Sequence, residues 1–599
     1  MKRLGVLISL IMIATMLAAC ATPTPEVIEK VVTQVVKETV KETVVVEGTP
    51  QIVEKEVTKV VEKVVTSVVE KVVTATPEPE EEKPDTVIVG VWQVVDWSNV
   101  LYVQGGGSLS AAKLTQRGLL FLDQESNWVG ELATEVPSLQ NGGISPDGKK
   151  ITYHLREGVT WHDGKPVTSA DVKATWEVVM NPSNAVITRF GYDKIESVET
   201  PDDLTVVLNF KEPFASWQIL FDGLVAKHVV DAIPEGELDE SEAMRHPTGF
   251  GPYKMVNWEE GQFIEYEAFE DYWQGAPKIK RLVLAGYPSV DALMQAIEAG
   301  EVDIGWQLPL SFVPKLQEIE TVSIVSLAGA SSERYTMNPE EPLFANKTVR
   351  HALQHAVDKQ AIVDNLLFGM TVPVVSHWHN SPWENPDLVP YEYDPEKARE
   401  MLESVGWKDE DGDGIREAHG VSGIEDGTPL SFVHMTTVGN LQRENVQLMV
   451  QQMFKDVGVE MVIENLRPAD LFGGWDSGGR WVRGDFQMGG WGHGLRRPDP
   501  DISNRFLCNE VASEENPAGA QWHRYCNPEV DELLIAQAQE FDTEKRNQIF
   551  YQVQETLHDE AYWIMLFGSV SIYTVNNDLK NVVLHPWCNY YWNPQEWDW

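Results

Sequence analysis

Cysteine is scarce in this chain of 599 residues, which contains only Cys20, Cys508, Cys526 and Cys588. Cys508 and Cys526 flank a loop that contains Gly, Pro and Glu, and we expect them to form a disulfide in an oxidising compartment. Cys588 is then left over. So few cysteines exclude a dense disulfide scaffold and leave hydrophobic burial to hold the fold.

Several catalytic signatures are also missing. The sequence has no Gly-x-Ser-x-Gly elbow, no phosphate loop ending in Gly-Lys-Ser/Thr, no His-Glu-x-x-His and no Cys-x-x-Cys. We therefore predict that the protein is not an enzyme and has no catalytic residue and no cofactor. Glycosidases use a pair of carboxylates, and such pairs are too frequent in this acidic chain to argue for or against one. A membrane-anchored hydrolase of polysaccharides or peptides is therefore kept as the alternative hypothesis.

Basic residues are strongly outnumbered. The chain has 47 Lys and Arg against 92 Asp and Glu, a formal net charge of −45. The segment 21–84 holds eight lysines and 13 glutamates, so most of the excess lies in the remainder of the chain. Nucleic-acid binding requires basic surface that releases counterions. We therefore exclude nucleic acid as a partner. The acidic charge is compatible with solubility at a membrane surface, with cationic ligands or with a merely charged exterior, and we favour the last.

The apolar run from Leu4 to Met16 is too short to span a bilayer. It follows two basic residues and precedes Leu17-Ala18-Ala19-Cys20, an arrangement typical of a secretory signal peptide. Because a cysteine follows the small pair, the pattern resembles a bacterial lipoprotein signal. That resemblance implies a signal peptide at 1–19 and acylation of Cys20, which would anchor the chain on the extracytoplasmic side of the cell membrane. A secreted protein with a chance cysteine is the alternative.

Aromatic residues are absent from 20–84, which consists mainly of Val, Glu, Lys and Thr. Such a segment cannot bury a core of its own. Valine pairs that recur every four residues drift around a helix, and β-branched side chains favour extended backbone. We predict a stalk or linker here, with a self-associating helical stalk as the alternative.

About 515 residues follow the stalk, too many for one core, so at least two domains are expected. Signals for strands and helices alternate along them. Residues 86–92 are typical of a strand, and 168–171 form a capping box at a helix start. Ser289, the pair Asp394-Pro395 and Asn440 mark three further helix starts. This interleaving predicts an α/β fold.

Five separated motifs carry a family resemblance. They are Ser145-Pro146-Asp147-Gly148 through Trp161-His162-Asp163-Gly164, Thr248-Gly249-Phe250-Gly251-Pro252-Tyr253 with Asp271-Tyr272-Trp273, Val349-Arg350-His351-Ala352 through Asp358-Lys359 with Gly369, Tyr393-Asp394-Pro395 through Gly406-Trp407, and Gly490-Trp491 with Asp499-Pro500-Asp501. In this order they resemble the extracytoplasmic solute-binding proteins of oligopeptide and dipeptide ABC transporters, solute-binding protein family 5.

The resemblance implies an α/β, periplasmic-binding-protein-like fold of two lobes around a hinge. Lobe I would comprise 85–105, 245–330 and 560–599, with an inserted subdomain at 106–244, and lobe II would comprise 331–559. It also implies a receptor that captures a small solute between its lobes and delivers it to an ABC permease and its ATPase subunits. Binding must favour the closed state for such a receptor to signal that it is occupied.

The resemblance bears on the solute as well. Peptide-binding relatives place an Asp shortly after the Gly-Trp of the fifth motif, where it pairs with the peptide amine, but this chain reads Gly490-Trp491-Gly492-His493. A standard peptide amine would therefore lack its partner. The expected solute is peptide-like or an oligosaccharide, since aromatic faces also stack on sugars. The candidate solute-binding residues are Trp491, His493, Arg496, Arg497, Trp97, Trp306 and Tyr335.

Two groups of residues suggest metals only weakly. The run Asp409–Asp413 begins like a calcium loop, but Gly420 stands where the bidentate Glu is required, which favours a polar turn. His351 and His355 are four apart on an expected helix, and His377 and His379 are close in sequence, without the rest of a zinc motif. We predict no metal site, with a histidine-assisted metal complex as a minor alternative.

Overall fold

The computed structural model describes residues 31–46, 49–64, 85–92, 99–102, 106–186, 188–234, 236–495, 499–585 and 592–599. The chain divides into two compact units, residues 1–83 and residues 84–599. Cys20, Cys588, Trp97, Arg496 and Arg497 lie outside the described residues. Among the helices that are described, none is both long enough and apolar enough to cross a bilayer.

The first unit contains two long strands, β1 (Val31–Val46) and β2 (Thr49–Val64). They pair antiparallel, with Val31 opposite Val64 at one end and Val46 opposite Thr49 at the other. The high content of β-branched residues favours this extended backbone. The described part of the segment is therefore extended rather than helical, and its role as a stalk stays a prediction.

The second unit alternates strands and helices. Its strands are β3 (Thr86–Val91), β4 (Leu120–Leu122), β5 (Trp128–Gly130), β6 (Lys150–His154), β7 (Ile195–Asp202), β8 (Thr205–Phe210), β9 (Tyr253–Glu259), β10 (Phe263–Ala268), β11 (Arg281–Gly286), β12 (Ile304–Leu308), β13 (Val322–Met337), β14 (Trp407–Lys408), β15 (Glu417–Ala418), β16 (Ser431–Thr437), β17 (Glu460–Leu466), β18 (Met488–Gly494) and β19 (Trp563–Asn576). Its α-helices are α1 (Gly106–Thr115), α2 (Ser169–Met180), α3 (Lys227–Val230), α4 (Glu242–Arg245), α5 (Val290–Glu298), α6 (Val313–Leu316), α7 (Lys347–His355), α8 (Lys359–Leu366), α9 (Pro395–Ser404), α10 (Leu441–Asp456), α11 (Pro468–Phe472), α12 (Arg480–Arg483), α13 (Pro528–Gln537) and α14 (Thr543–Glu560). The α/β class predicted from the sequence is confirmed.

Helix starts follow the capping residues read from the sequence. The side chains of Ser289, Asp394 and Asn440 each accept a hydrogen bond from the backbone N–H three residues further on. Each bond satisfies one of the N–H groups that have no partner within the helix. The predicted starts of α5, α9 and α10 are thus confirmed at residue level.

Ten strands form one mixed sheet in the order β17-β16-β18-β13-β19-β12-β3-β11-β10-β9. On one side β12, β3 and β11 run parallel, and on the other β17, β16 and β18 run parallel. The long antiparallel strands β13 and β19 lie between these sides and contribute to both. Their pairing shifts register between Ala328 and Ser332, where the two sides of the sheet meet.

Separate hydrophobic cores fill the parts of this unit. Residues 101–250 form one core around the small sheet β6-β8-β7. Side chains of β3, β11, β12 and β19 form a second core, and those of β13, β16 and β18 pack with α7, α8 and α10 in a third. The predicted domain boundaries stay a prediction.

A buried ion pair within the segment 499–546 is hydrogen-bonded to Ser216 of the 101–250 part. Arg546 Nη1 lies 3.0 Å from Asp499 Oδ2, and both side chains are buried. Ser216, from the 101–250 part, donates its hydroxyl to Asp499 Oδ1 at 2.8 Å and accepts from Arg546 Nη2 at 3.1 Å. Nearby, the backbone N–H of Ala215 donates to the carbonyl oxygen of Ala538. These bonds tie two parts of the chain that are distant in sequence.

Candidate functional site

Strands β13, β18 and β19 have two contrasting faces, because side chains alternate along a strand. One face carries Tyr335, Met488 and Ile564 into the third hydrophobic core. The register sets Arg334 directly opposite Trp491 on β18 and Met565 on β19. We call the second face the polar face; its members are Ser332, Arg334, Thr336, Trp491, His493, Trp563 and Met565.

Aromatic rings surround the half-buried Trp491 on the polar face. Its ring stacks on Phe472, with ring centres 5.1 Å apart, and on Trp522, with ring centres 5.7 Å apart. Trp481 lies 5.6 Å away in a tilted arrangement and is itself fully buried. Stacked rings of this kind offer an apolar surface for an apolar side chain or a ring of a solute.

Three buried histidines lie beside this aromatic group. His493 is on β18, His377 packs edge-on against Trp563, and His523 packs edge-on against the same ring from another direction. Burial, with help from nearby arginines, lowers the pKa of each imidazole well below its ordinary value, so the rings are neutral at pH 7. Neither ring nitrogen of His493 has a hydrogen-bond partner among the described residues. Buried polar atoms usually have a hydrogen-bond partner, so these two nitrogens are an exception that needs an explanation.

Arg334 lies at the centre of the polar face and has no exposed surface. Its Nη1 donates to the carbonyl oxygen of His493 at 3.1 Å, and its guanidinium carbon lies 5.9 Å from the centre of the Trp491 ring. Burial, with a smaller contribution from the positive charge of Arg505, lowers the pKa of Arg334 to about 9. The group still carries its charge at pH 7, inside the protein.

A disulfide loop supplies part of this site. Cys508 and Cys526 are joined in the structure, and the loop between them carries Trp522 and His523. At the start of the loop, the backbone N–H of Cys508 donates to the carboxylate of Asp531. The disulfide therefore restricts the segment that places Trp522 and His523 against Trp491.

The predicted solute-binding residues separate into different places. Trp491 and His493 lie together on the polar face. Tyr335 lies on the opposite face, where its ring centre is 4.1 Å from that of His434 inside the core, because neighbouring strand residues point to opposite sides. Trp306 lies in the second core and packs edge-on against Tyr573. Neither Tyr335 nor Trp306 is therefore brought to Trp491.

Arg334, His523 and Trp522 were not among the residues predicted from the sequence, and His377 was considered there only as a metal ligand beside His379. Arg334 stands in an alternating strand, where a charged residue is normally read as the solvent side. His377 and His523 are separated by nearly 150 residues and meet only through tertiary folding. The one available signal was the expected disulfide, which implied that the loop 508–526 is held in place.

The histidine pair considered for metal binding has structural roles instead. The ring of His351 is hydrogen-bonded to the carbonyl oxygen of Asp559, and that of His355 to the carbonyl oxygen of Glu392. Both rings also pack edge-on against Tyr391. These contacts anchor the carboxyl-terminal part of α7.

The acidic loop near residue 410 gathers four carboxylates. One oxygen from each of Asp409, Asp411, Asp413 and Glu417 lies within 4.8 Å of the others. Gly420 occupies the position at which a calcium loop has its bidentate Glu, and the sequence pattern gave no reason to expect Glu417 in the group. Backbone N–H groups within the loop already bind these side chains, as in the 2.8 Å bond from Gly412 to Asp409. Exposed acidic groups of this kind also form without an ion, and we assign no metal to it.

Comparison with known proteins gives this architecture a family. The model of the bacterial extracellular solute-binding proteins, family 5 Middle, matches residues 127–513. The chain belongs to this family. The fold and the receptor function expected from the sequence motifs are thereby confirmed, and no observation supports the hydrolase alternative.

Relatives of this family 5 protein share most of its length. The oligopeptide-binding protein AppA of Bacillus subtilis is 26% identical over 517 residues, which cover 83% of this chain and 89% of AppA. The glutathione-binding protein GsiB of Pectobacterium atrosepticum is 26% identical over 468 residues, 77% of this chain and 84% of GsiB.

Solved structures show the same fold. The structure of AppA from Bacillus subtilis in complex with a nonapeptide is similar with a TM-score of 0.63 and 24% identity, covering 86% of this chain and 99% of AppA. NikZ from Campylobacter jejuni in complex with Ni(L-His) is similar with a TM-score of 0.66, 24% identity and the same coverage. The predicted two-lobed fold is thus confirmed.

Proposed function

We propose that this family 5 protein is the receptor of an ABC importer, which binds a peptide-like solute between its lobes and delivers it to a membrane permease driven by ATPase subunits. AppA and GsiB are named for an oligopeptide and for glutathione, which supports a peptide-like solute. A receptor releases its solute unchanged, so the protein acts without catalysis.

One observation carries the proposal most directly, namely the composition of the polar face. Trp491 and its stacked neighbours provide apolar surface, while His493 and Arg334 provide buried polar groups that the described protein leaves partly unbonded. Solute sites combine a mostly apolar lining with a few well-placed polar groups in this way. Strands β13 and β19, which carry part of this face, contribute to both sides of the ten-stranded sheet. A solute bound at this face would lie where two lobes can close on it.

Copurified solute gives the first test. Native mass spectrometry of the full chain, freshly purified, is expected to show a bound species whose mass and fragmentation identify a peptide. An oligosaccharide mass would favour the stacking surface of Trp491 and Trp522 as a sugar platform instead. Incubation of the identified solute with the protein is expected to return it intact, and conversion to products would support the hydrolase alternative.

A binding measurement tests the place of the site. Trp491→Ala is expected to weaken binding of a defined tripeptide pool by about 10- to 100-fold in calorimetry, because a stacked aromatic anchor carries a large share of binding energy. Trp306→Phe, in the second core, is the matched control and should leave affinity unchanged. Equal affinities of Trp491→Ala and the unaltered protein would place the solute elsewhere.

Membrane attachment forms a separate part of the proposal. The signal that resembles a lipoprotein signal supports acylation of Cys20 and a location outside the cytoplasmic membrane. Cys20→Ser is expected to move the protein from the membrane fraction to the soluble fraction after cell breakage. A variant that stays with the membranes would contradict lipid anchoring without affecting the receptor function.

A further inference from the structure

The guanidinium of Arg334 has one edge that the described protein leaves without an acceptor. Nη1 donates to the carbonyl oxygen of His493, but neither Nε nor Nη2 has a hydrogen-bond partner among the described residues. Nε and Nη2 are the two donors that can bind a carboxylate side-on with two parallel hydrogen bonds. A fully buried cation thus keeps its strongest binding edge unpaired.

Other arginines of the same protein use this edge for carboxylates. Arg443 binds Glu333 through Nε at 3.0 Å and through Nη2 at 2.7 Å. On the surface, Arg467 binds Asp470 through Nε at 2.7 Å and through Nη2 at 2.9 Å. Arg334 has the same geometry available, but none of the described residues places a carboxylate on it.

Charges around Arg334 do not supply the missing partner. Glu333 precedes it in the strand, points to the other face and is already paired with Arg443. The positive charge of Arg505 also acts against that of Arg334. The three neighbouring histidines are acceptors or donors of hydrogen bonds but are neutral at pH 7. An anion is the ligand that this environment favours.

We propose that Arg334 binds a carboxylate group of the solute through its Nε and Nη2 groups. The inference rests on the proposed function and narrows it to solutes with an unblocked carboxylate, such as a peptide with a free carboxyl terminus. His493 lies beside Arg334 and donates or accepts a hydrogen bond at the carboxylate end of the solute. Trp491 stacks on the portion of the solute next to that carboxylate. The expected Asp of peptide-binding relatives is absent, so the charge recognised here is negative rather than positive.

A bare metal ion fits this place poorly. The imidazoles of His377, His493 and His523 do not gather into a metal-ligating group within the described part of the chain, where the acidic loop at 409–417 is the group found. Two arginines close by would also repel a cation. The site therefore selects an anionic solute.

The test uses the full chain and matched probes. One probe is a pool of tripeptides with unmodified carboxyl termini, and the second is the same pool as carboxyl-terminal amides. Binding is measured by calorimetry and by thermal stabilisation for the unaltered protein and for Arg334→Gln, Arg334→Lys and the surface control Arg467→Gln. We expect the acids to bind at least about tenfold more tightly than the amides, since a charge-assisted pair is stronger than a neutral one.

The variants separate recognition from folding. Arg334→Gln is expected to lose the preference for acids, and Arg334→Lys to keep part of it, because lysine retains the charge without the planar fork. Without solute, Arg334→Gln should melt no lower than the unaltered protein, since it removes a buried cation that no carboxylate of the described residues pairs with. Arg467→Gln should behave like the unaltered protein in both measurements.

Three outcomes decide the matter. Equal binding of acids and amides, or an unchanged preference in Arg334→Gln, overturns the inference. If neither peptide pool binds, the peptide part of the proposed function fails, and succinate, glutarate and citrate are tested against their amides. Carboxylate binding that is lost in Arg334→Gln then supports the inference, whereas no response to any carboxylate overturns it.

Discussion

Two buried arginines of this protein, Arg546 and Arg334, have very different surroundings. Arg546 is bonded to the carboxylate of Asp499, to Ser216 and to the side chain of Gln537. Among the described residues Arg334 has a single hydrogen-bond partner, the carbonyl oxygen of His493, and the positive charge of Arg505 acts against it. The first arginine is satisfied within the protein, and the second is only partly so.

The difference in hydrogen-bond partners indicates a different role for each arginine. A buried cation with a complete set of partners stabilises the arrangement of the segments that supply them, here Asp499, Ser216 and Gln537 at the end of α13. A buried cation without a counter-charge lowers the stability of the protein, and such features persist mainly where function requires them. We therefore assign a structural role to Arg546 and a binding role to Arg334.

Breaking the structural pair should have the largest effect. Asp499→Ala is expected to lower the free energy of unfolding by about 3–5 kcal/mol, because Arg546 is left as a buried charge without its carboxylate. Urea denaturation followed by circular dichroism measures the loss. The double variant Asp499→Ala/Arg546→Met should recover much of it, since both charges are then removed. A loss below about 1 kcal/mol in the single variant would contradict the structural role, because surface pairs are worth that little.

Lowering the pH should reduce the free energy of unfolding through the neutral histidines near Arg334. Burial holds the pKa of His377, His493 and His523 below the unfolded value of about 6.5. The unfolded chain then binds more protons than the folded one as pH falls below about 6.5, so stability is present above that pH and is lost below it. Each such histidine contributes up to about 1.4 kcal/mol per pH unit to the slope.

The measurement compares urea unfolding of the solute-free protein at pH 7.5, 6.0 and 5.0. His493→Gln is expected to flatten the dependence, because one group that takes up a proton on unfolding is removed. His154→Gln, at an exposed position on β6, serves as the control for the loss of a histidine side chain outside this cluster. An unchanged slope in His493→Gln would show that this ring is charged in the fold.

The exposed pair Arg467–Asp470 should give the smallest effect. It has the same side-on geometry that we propose for a solute carboxylate at Arg334, but Arg467 is 77% exposed. Arg467→Ala is expected to change the free energy of unfolding by about 0.2–1 kcal/mol, because water already solvates both charges. A loss of 3 kcal/mol or more in urea denaturation would mean that geometry rather than burial sets the strength of these pairs.

Local signals in the sequence predicted much of the fold. Capping side chains at Ser289, Asp394 and Asn440 identified helix starts because their hydrogen bonds involve only residues three positions away. Family motifs identified the two-lobed architecture. The site was predicted only in part, since Trp491 and His493 belong to a motif whereas His377 and His523 come from segments with no such motif.

Tyr335 and Arg334 show why the remainder escaped prediction. They are neighbours in β13, and alternation places one in the core and the other on the polar face. Which face would be buried under hydrophobic helices, and which under the histidines and the disulfide loop, depends on how β13 pairs with β18 and β19. A one-residue shift in register would exchange the two.

The amino-acid sequence by itself determined the acidic character of the protein, the extended backbone of its valine-rich segment, the starts of its helices and its membership of a receptor family, because these depend on composition, on contacts between near neighbours or on motifs. Tertiary structure alone decided that Arg334 is buried beside three neutral histidines, with no carboxylate bonded to it in the part of the chain that the structure describes. Burial and pairing depend on segments far apart in the chain, and the low dielectric that makes an unpaired charge significant exists only once those segments have packed together.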